Sequence, residues 1–236
     1  MDVQSLLNVL YPPTCWLCRG RLQPPETVFC ASCAQAFARQ RDPLCQQCGS
    51  GLAGAYDAQL ICRSCRHAPP AFCHARAPFR YVGFARDAIH LYKYRQCRAI
   101  GDWLTGHMAA VAQHEEPLLG PFDCVSPVPS HWLKRRLRGF DPASTLAQRL
   151  AERLHAPFIP SLLTKTRWTR SQTRLRSAAR RSNVRQAFAA TRHARGIRRV
   201  LLVDDVLTTG ATAHACARAL RRSGIERVTI LTAASR

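Results

Sequence analysis

An α/β fold is predicted for the larger part of this chain: a parallel sheet with flanking helices, preceded by a small cysteine-rich module. Two observations carry the prediction. Beyond about residue 75, apolar strand patterns and helix patterns alternate, which is the order that parallel sheets require. Before it, eight of the twelve cysteines fall into four Cys-x-x-Cys pairs: Cys15/Cys18, Cys30/Cys33, Cys45/Cys48 and Cys62/Cys65. A length of 236 residues suits one full-sized domain plus something small. At 47% hydrophobic, the composition can bury a core and excludes a disordered chain. The expected division is residues 1–75 for the cysteine module and 76–236 for the α/β domain.

The cysteine module reads as metal-binding. The opening MDVQSLLNVLYPPTC has no basic region followed by a long apolar run, so it does not read as a secretory leader. No stretch approaches the roughly 18 apolar residues of a membrane span. A reducing compartment is therefore expected, and there paired cysteines hold metal more often than they form disulfides. Two thiolate pairs make one closed, tetrahedral Zn²⁺ site, so eight cysteines make two. The short gaps between pairs suit a double zinc ribbon with sequential ligation: Cys15, Cys18, Cys30 and Cys33, then Cys45, Cys48, Cys62 and Cys65. An interleaved pairing would also satisfy the spacing. His67, Cys73 and His74 are left over as bystanders, since both quartets are complete. So small a module draws most of its stability from metal.

After Pro69-Pro70 the elements follow in order. Helical patterns run from about Arg86 to Tyr94 and from Ile100 to Gln113. Phe122 to Val128 is a short apolar strand ended by Pro127 and Pro129. Pro142 opens a helix at its first turn, where a missing N–H costs nothing, and Leu146, Leu150 and Leu154 keep its apolar spacing to about His155. Arg167 to Arg185 is polar and arginine-dense, and reads as a loop. Arg199 to Asp204 is a strand, Ala211 to Ser223 a helix stopped by Gly224, and Arg227 to Thr232 a last strand.

The most informative stretch is VLLVDDVLTTGAT, Val200 to Thr212. Val200 to Val203 is a continuous apolar run, as a central parallel strand buried on both faces demands. Ligands of open α/β sheets bind at the carboxyl ends of such strands. There stand two acids, Asp204 and Asp205, then the small and hydroxylated run Thr208, Thr209, Gly210, Ala211 and Thr212 at a helix start. Small residues let backbone N–H groups close around a phosphate, and the helix points its positive end at it. Paired carboxylates can accept hydrogen bonds from vicinal sugar hydroxyls or hold Mg²⁺ through water. One loop thus reads a phosphate and a diol a sugar apart.

The charge balance points to an anionic partner. Thirty-five basic residues face fourteen acidic ones, for a net charge of +21. Codon bias accounts for arginine over lysine, but not for base over acid. Polyanions are the expected partners. Lys134, Arg135 and Arg136, in the turn after the Val125–Pro129 strand end, are candidate counter-charges for a polyanion, as is Arg174 in the arginine-dense loop. That loop also suits capture of a phosphate or of a nucleic-acid backbone. Trp132 and Trp168, beside these runs, could stack on bases, though packing is the commoner fate of a tryptophan.

The Val200–Thr212 stretch resembles the motif for phosphoribosyl pyrophosphate (PRPP) of the type I phosphoribosyltransferase fold. That resemblance implies that Asp204 and Asp205 face the ribose hydroxyls and the reacting centre. It implies further that Thr208 to Thr212 hold the 5′-phosphate, with Mg²⁺ accompanying PRPP. Ala211 stands where a second glycine is usual, which fits if that residue is already helical. The cysteine quartets, Leu91-Tyr92-Lys93-Tyr94-Arg95, the Val125–Pro129 stretch with Lys134 to Phe140, and Arg167 to Phe188 together resemble the ComF family. That family joins a zinc ribbon to a phosphoribosyltransferase-type domain. Where the family commonly reads Arg-Gly-Phe-Asn-Gln, this chain has Arg138-Gly139-Phe140-Asp141-Pro142. The resemblance implies a cytoplasmic protein of DNA uptake in natural transformation, meeting single-stranded DNA and partners of the uptake machinery. Two alternatives stand beside it: an active phosphoribosyltransferase with an unidentified acceptor, and a PRPP-sensing regulator or scaffold without catalysis.

Overall fold

The computed structural model describes residues 12–52, 60–130, 139–165 and 187–236. Helices α1 (Ala31–Gln35) and α2 (Arg63–His67) belong to the cysteine module. The strands β1 (His74–Arg76) and β2 (Phe79–Arg80) follow, then α3 (Gly83–Arg95), α4 (Arg98–His114) and the short α5 (Glu116–Leu119). Next come β3 (Cys124–Pro127), α6 (Pro142–Arg153), β4 (Leu163–Lys165) and β5 (Phe188–Ala190). The chain finishes with β6 (Arg199–Leu207), α7 (Ala211–Arg222) and β7 (Arg227–Ser235). None of the helices among the described residues is long and apolar enough to cross a membrane.

The main sheet is parallel throughout, in the order β1-β7-β6-β3, with β2 continuing the edge of β1 along β7. The central β6 is paired on both sides and covered on both faces, which is why its sequence is apolar without alternation. Leu201 and Val203 face one core with α3, α4, α6 and the cysteine module. Val200 and Leu202 face a second core with α7 and β5. Helix α6 keeps its expected form: Asp141 caps it, Pro142 takes the first turn, and Leu146 and Leu150 are fully buried. Asp141, where the resembled family commonly has asparagine, accepts from the Ser144 amide at 3.4 Å. The short β1, β2, β4 and β5 and the four-residue α5 carry too few residues to show a period, and the sequence pattern does not reveal them.

The cysteine module is built twice on one plan. In each half the first cysteine's amide bonds a carbonyl five residues on, Cys15 to Gly20 and Cys45 to Ser50, both at 2.8 Å. Residue four of each turn has positive φ: Arg19 in the first knuckle, Gly49 in the second. The difference has a steric cause. A Cβ at Gly49 would lie 2.4 Å from the Ala75 carbonyl oxygen, so the second knuckle needs glycine to touch the sheet edge.

That contact is held by a buried arginine. Arg76 on β1 is 5% exposed. Its Nη1 donates to the carbonyls of Cys45 (3.1 Å) and Gln46 (3.2 Å), and its Nε pairs with Glu115 at the end of α4, at 3.0 Å. The Ala75 amide adds a bond to the Gln47 carbonyl at 2.7 Å. The first knuckle joins through aromatics instead. Phe29 and Phe37 meet Trp103 of α4 at 5.0 and 4.6 Å between ring centroids, and Trp103 stacks on Phe79 at 5.4 Å.

Arg76→Ala should therefore cost about 3 kcal/mol, since it strands Glu115 and two knuckle carbonyls together. Arg86→Ala, which breaks only the exposed pair with Asp87, should leave stability unchanged. Urea unfolding of the two variants beside the parent checks the contrast.

Candidate functional site

The carboxyl end of β6 is where polar groups converge. The strand runs three residues past the expected end at Asp204, because pairing with β7 continues through Val206–Ala234 and Leu207–Ser235. Asp204 and Asp205 thus sit inside the paired strand, held by its backbone, rather than on a loose turn. The Asp205 amide donates to Asp204 Oδ1 at 2.8 Å. Lys93, near the end of α3, pairs with Asp205 Oδ2 at 2.9 Å, and both side chains are largely shielded from solvent. Asp141, the cap of α6, adds its negative charge near Asp204. Its other oxygen accepts from the Ser130 hydroxyl at 2.6 Å. Tyr92, beside Lys93, donates its hydroxyl to the Pro142 carbonyl at 3.0 Å and ties α3 to the start of α6.

These surroundings give the two acids different characters. Burial first, and then the adjacent Asp205 carboxylate, push Asp204 up to about 8, against the pull of Lys93 and of the Asp205 amide. The Lys93 ammonium answers Asp205, and the upward push falls on Asp204. Donors arriving at the site, such as sugar hydroxyls or a hydrated divalent cation, would favour the ionised form of Asp204.

The loop that follows is open to an anion. Thr208 and Thr209 are exposed, and Gly210 adopts φ +69° at the cap of α7. No side chain caps that helix beyond a long contact of the Ala211 amide with Thr209 Oγ1 at 3.5 Å, and no acid occupies its first turn. The leading amides of α7 are thereby left for a ligand. Ala211 is the first helical residue, the condition under which alanine replaces the second glycine without strain. Asp204, Asp205, Thr208, Thr209, Gly210, Ala211 and Thr212 so lie in one strand–turn–helix unit.

The basic candidates Lys134, Arg135, Arg136 and Arg174 lie outside the described residues, as do Trp132 and Trp168. The chain leaves β3 toward residues 131–138 at the same sheet end as Asp204, with the Val128 amide bonded to the Val203 carbonyl at 2.8 Å. The expected loop over Arg167–Arg185 likewise lies outside the described residues, and Lys165 and Phe188, which stand on either side of it, pair across β4 and β5. Sequence reasoning missed Lys93 and Asp141 as members of the site. Lys93 lies within a stretch quoted for its family resemblance, yet only the packing of α3 brings it to Asp205.

The eight paired cysteines gather in two groups, Cys15/Cys18/Cys30/Cys33 and Cys45/Cys48/Cys62/Cys65, the sequential arrangement. Within each group all sulfurs lie within 4.8 Å of one another. Four thiolates about 2.3 Å from a tetrahedral Zn²⁺ stand about 3.8 Å apart. The Cys18–Cys30 and Cys48–Cys62 sulfurs are 3.6 and 3.7 Å apart, so both clusters fit zinc. Without metal the crowded thiols divide. The Ser32 hydroxyl and the Cys33 amide hold Cys30 at about 6, whereas burial and its neighbours push Cys33 up. Burial raises Cys45, but the amides of Cys62, Cys48 and Gln47 outweigh it and hold the thiol at about 7. Burial and the neighbouring thiols push Cys65 up. A divalent cation makes all four thiolates at once. Cys73 and His74 stay out of both groups, and His74 Nδ1 instead lies 2.9 Å from the Gln46 carbonyl oxygen.

Known proteins place these features in context. Residues 6–67 match the double zinc ribbon domain. The chain is 31% identical over 222 residues to DNA utilization protein YhgH of Escherichia coli O157:H7, covering 93% of this chain and 95% of that one. It is 28% identical over 225 residues to competence protein F of Haemophilus influenzae, covering 92% and 94%. Among solved structures, glutamine PRPP amidotransferase from B. subtilis, complexed with ADP and GMP, aligns at 25% identity and a TM-score of 0.38. That alignment covers 56% of this chain and 26% of the amidotransferase, so the chain spans about a quarter of it.

Two measurements test the site and the clusters. Between about pH 4 and pH 8 the folded chain keeps a proton on Asp204 that the unfolded chain gives up, so stability should fall as pH rises across that window. Asp204→Asn should flatten this slope, read as urea midpoints across the range without added Mg²⁺. Elemental analysis should find two zinc ions per chain, and one in a Cys18→Ser variant. Chelation of the full protein should red-shift tryptophan emission as Trp103 loses Phe29 and Phe37.

Proposed function

This chain belongs to the ComF family, and from that premise we propose that it is a cytoplasmic PRPP-binding protein of DNA uptake that contacts incoming single-stranded DNA. The observation that carries the ligand half is the unit at the end of β6: two carboxylates within the strand, then an uncapped, acid-free helix start behind an exposed Thr-Thr-Gly turn. The carboxylates suit the ribose diol, and the helix start suits the 5′-phosphate. Mg²⁺ would enter with the pyrophosphate and be met by Asp204 and Asp205 through water. The DNA half is supported by the net charge of +21 and by the relatives, which are named as competence and DNA utilization proteins.

A second reading, pentosyl transfer from PRPP to an acceptor, draws on the Lys93–Asp205 pair. Ribose hydroxyls engaging Asp205 would release the Lys93 ammonium next to the reacting carbon, where it could neutralise departing pyrophosphate. Turnover would then produce pyrophosphate, and binding alone would not. In either case the fold supplies the phosphate grip, and the acceptor is what distinguishes the functions.

Calorimetry with PRPP and Mg²⁺ should show one site per chain. Asp205→Asn should bind about 10- to 100-fold more weakly, the worth of a lost charged hydrogen bond. Gly210→Val should do the same by straining the left-handed turn. Unchanged affinity in both variants would remove the proposed cradle.

A further inference from the structure

A second basic feature lies at the other end of α7. Arg218, Arg221 and Arg222 line an open groove of about 610 Å³, together with the connecting segment Pro70–Cys73 and Gln47 of the second zinc knuckle. The groove is a built feature, because hydrogen bonds fix its parts to each other. The Ala71 amide donates to His214 Nδ1 on α7 at 3.1 Å, the Cys73 amide to the Val228 carbonyl at 2.8 Å, and the Ala75 amide to the Gln47 carbonyl. Phe72 is buried beneath, in the core shared with α7.

The charge of this groove is unanswered. Some arginines elsewhere find carboxylates, as Arg76 does Glu115, Arg149 Asp102 and Arg199 Asp123. Among the described residues, Arg218, Arg221 and Arg222 form no ion pair, and no acid lines the groove. Service to the helix dipole would explain cations in the last turn. It does not explain Arg218, a turn earlier on the same wall. Arg218 and Arg222 are spaced roughly 6 Å along the helix axis, and with Arg221 they bring three cations to one wall of the groove. A groove of about 610 Å³ falls within the size range of sites that hold a small ligand such as a nucleotide. These arginines start roughly 12 Å along the axis from Gly210 and the phosphate loop.

We propose that this groove, between the C-terminal half of α7 and the second zinc knuckle, is a track for the phosphodiester backbone of single-stranded nucleic acid, distinct from the ribose-phosphate cradle. The assignment rests on the reading that the protein meets single-stranded DNA, and it places that contact. It also gives the zinc ribbon a role, as the wall that Gln47 presents.

The test uses the full-length, zinc-loaded protein and a labelled oligothymidylate, followed by fluorescence anisotropy over a range of salt. In R218Q/R221Q/R222Q the slope of log affinity against log salt should fall by about 2, since each backbone contact on a single strand contributes about 0.7. Low-salt affinity should fall at least about tenfold. The R218K/R221K/R222K variant should keep most of both, whereas a role in helix stability alone would move the melting temperature and not the slope. Binding of PRPP–Mg²⁺ should be unchanged, and a parallel loss would overturn the separation of the two sites. A parent protein that binds but whose glutamine variant keeps its slope overturns the groove and leaves the DNA reading standing. A parent that binds no oligonucleotide overturns both. Equal binding and equal loss with a duplex of the same length overturns the single-strand assignment.

Discussion

The burial of β6 on both faces and both edges constrains everything else in this molecule. A strand enclosed by β3, β7 and two cores can carry polar side chains only where it emerges. Its carboxyl end is that exit, and Asp204 and Asp205 occupy it. Because the neighbouring strands are parallel, the connections that follow β3 and β6 leave at the same end of the sheet. The helix start of α7, the cap of α6 and the end of α3 are thereby drawn to one place. The cost appears in Asp204, whose carboxyl is pushed upward by burial and by its neighbour.

The zinc ribbon is not an appendage on this sheet. Its first knuckle contributes Phe29 and Phe37 to the core that contains Phe79 and Tyr92. Its second knuckle is fastened by Arg76 and by an approach so close that Gly49 cannot carry a side chain. A module with little apolar content of its own thus combines metal with a borrowed core. The same docking sets Gln47 against the arginines of α7, so one packing decision shapes both the stability of the ribbon and the basic groove.

Much of this was legible in the sequence because the signals are contiguous. Cys-x-x-Cys places two thiols on one knuckle, and an apolar run, two acids and a Thr-Thr-Gly turn describe a strand, its exit and a helix start within thirteen residues. Long amphipathic helices such as α4 and α6 show their period directly. The strands β1, β2, β4 and β5, two or three residues each, are edge pairings without a period, and only their partners define them.

The sequence by itself therefore determined the α/β class, the double zinc ribbon and the order of the parts, since each depends on residues near one another along the chain. The tertiary structure decided what answers what. The choice between sequential and interleaved cysteines, the pairing of Lys93 with Asp205, the clamp from Arg76 to Glu115 and the meeting of α7 with the second knuckle all join residues far apart in sequence. Such contacts depend on the order of strands in the sheet and the faces its helices cover. Those are properties of the packed chain, and no local pattern encodes them.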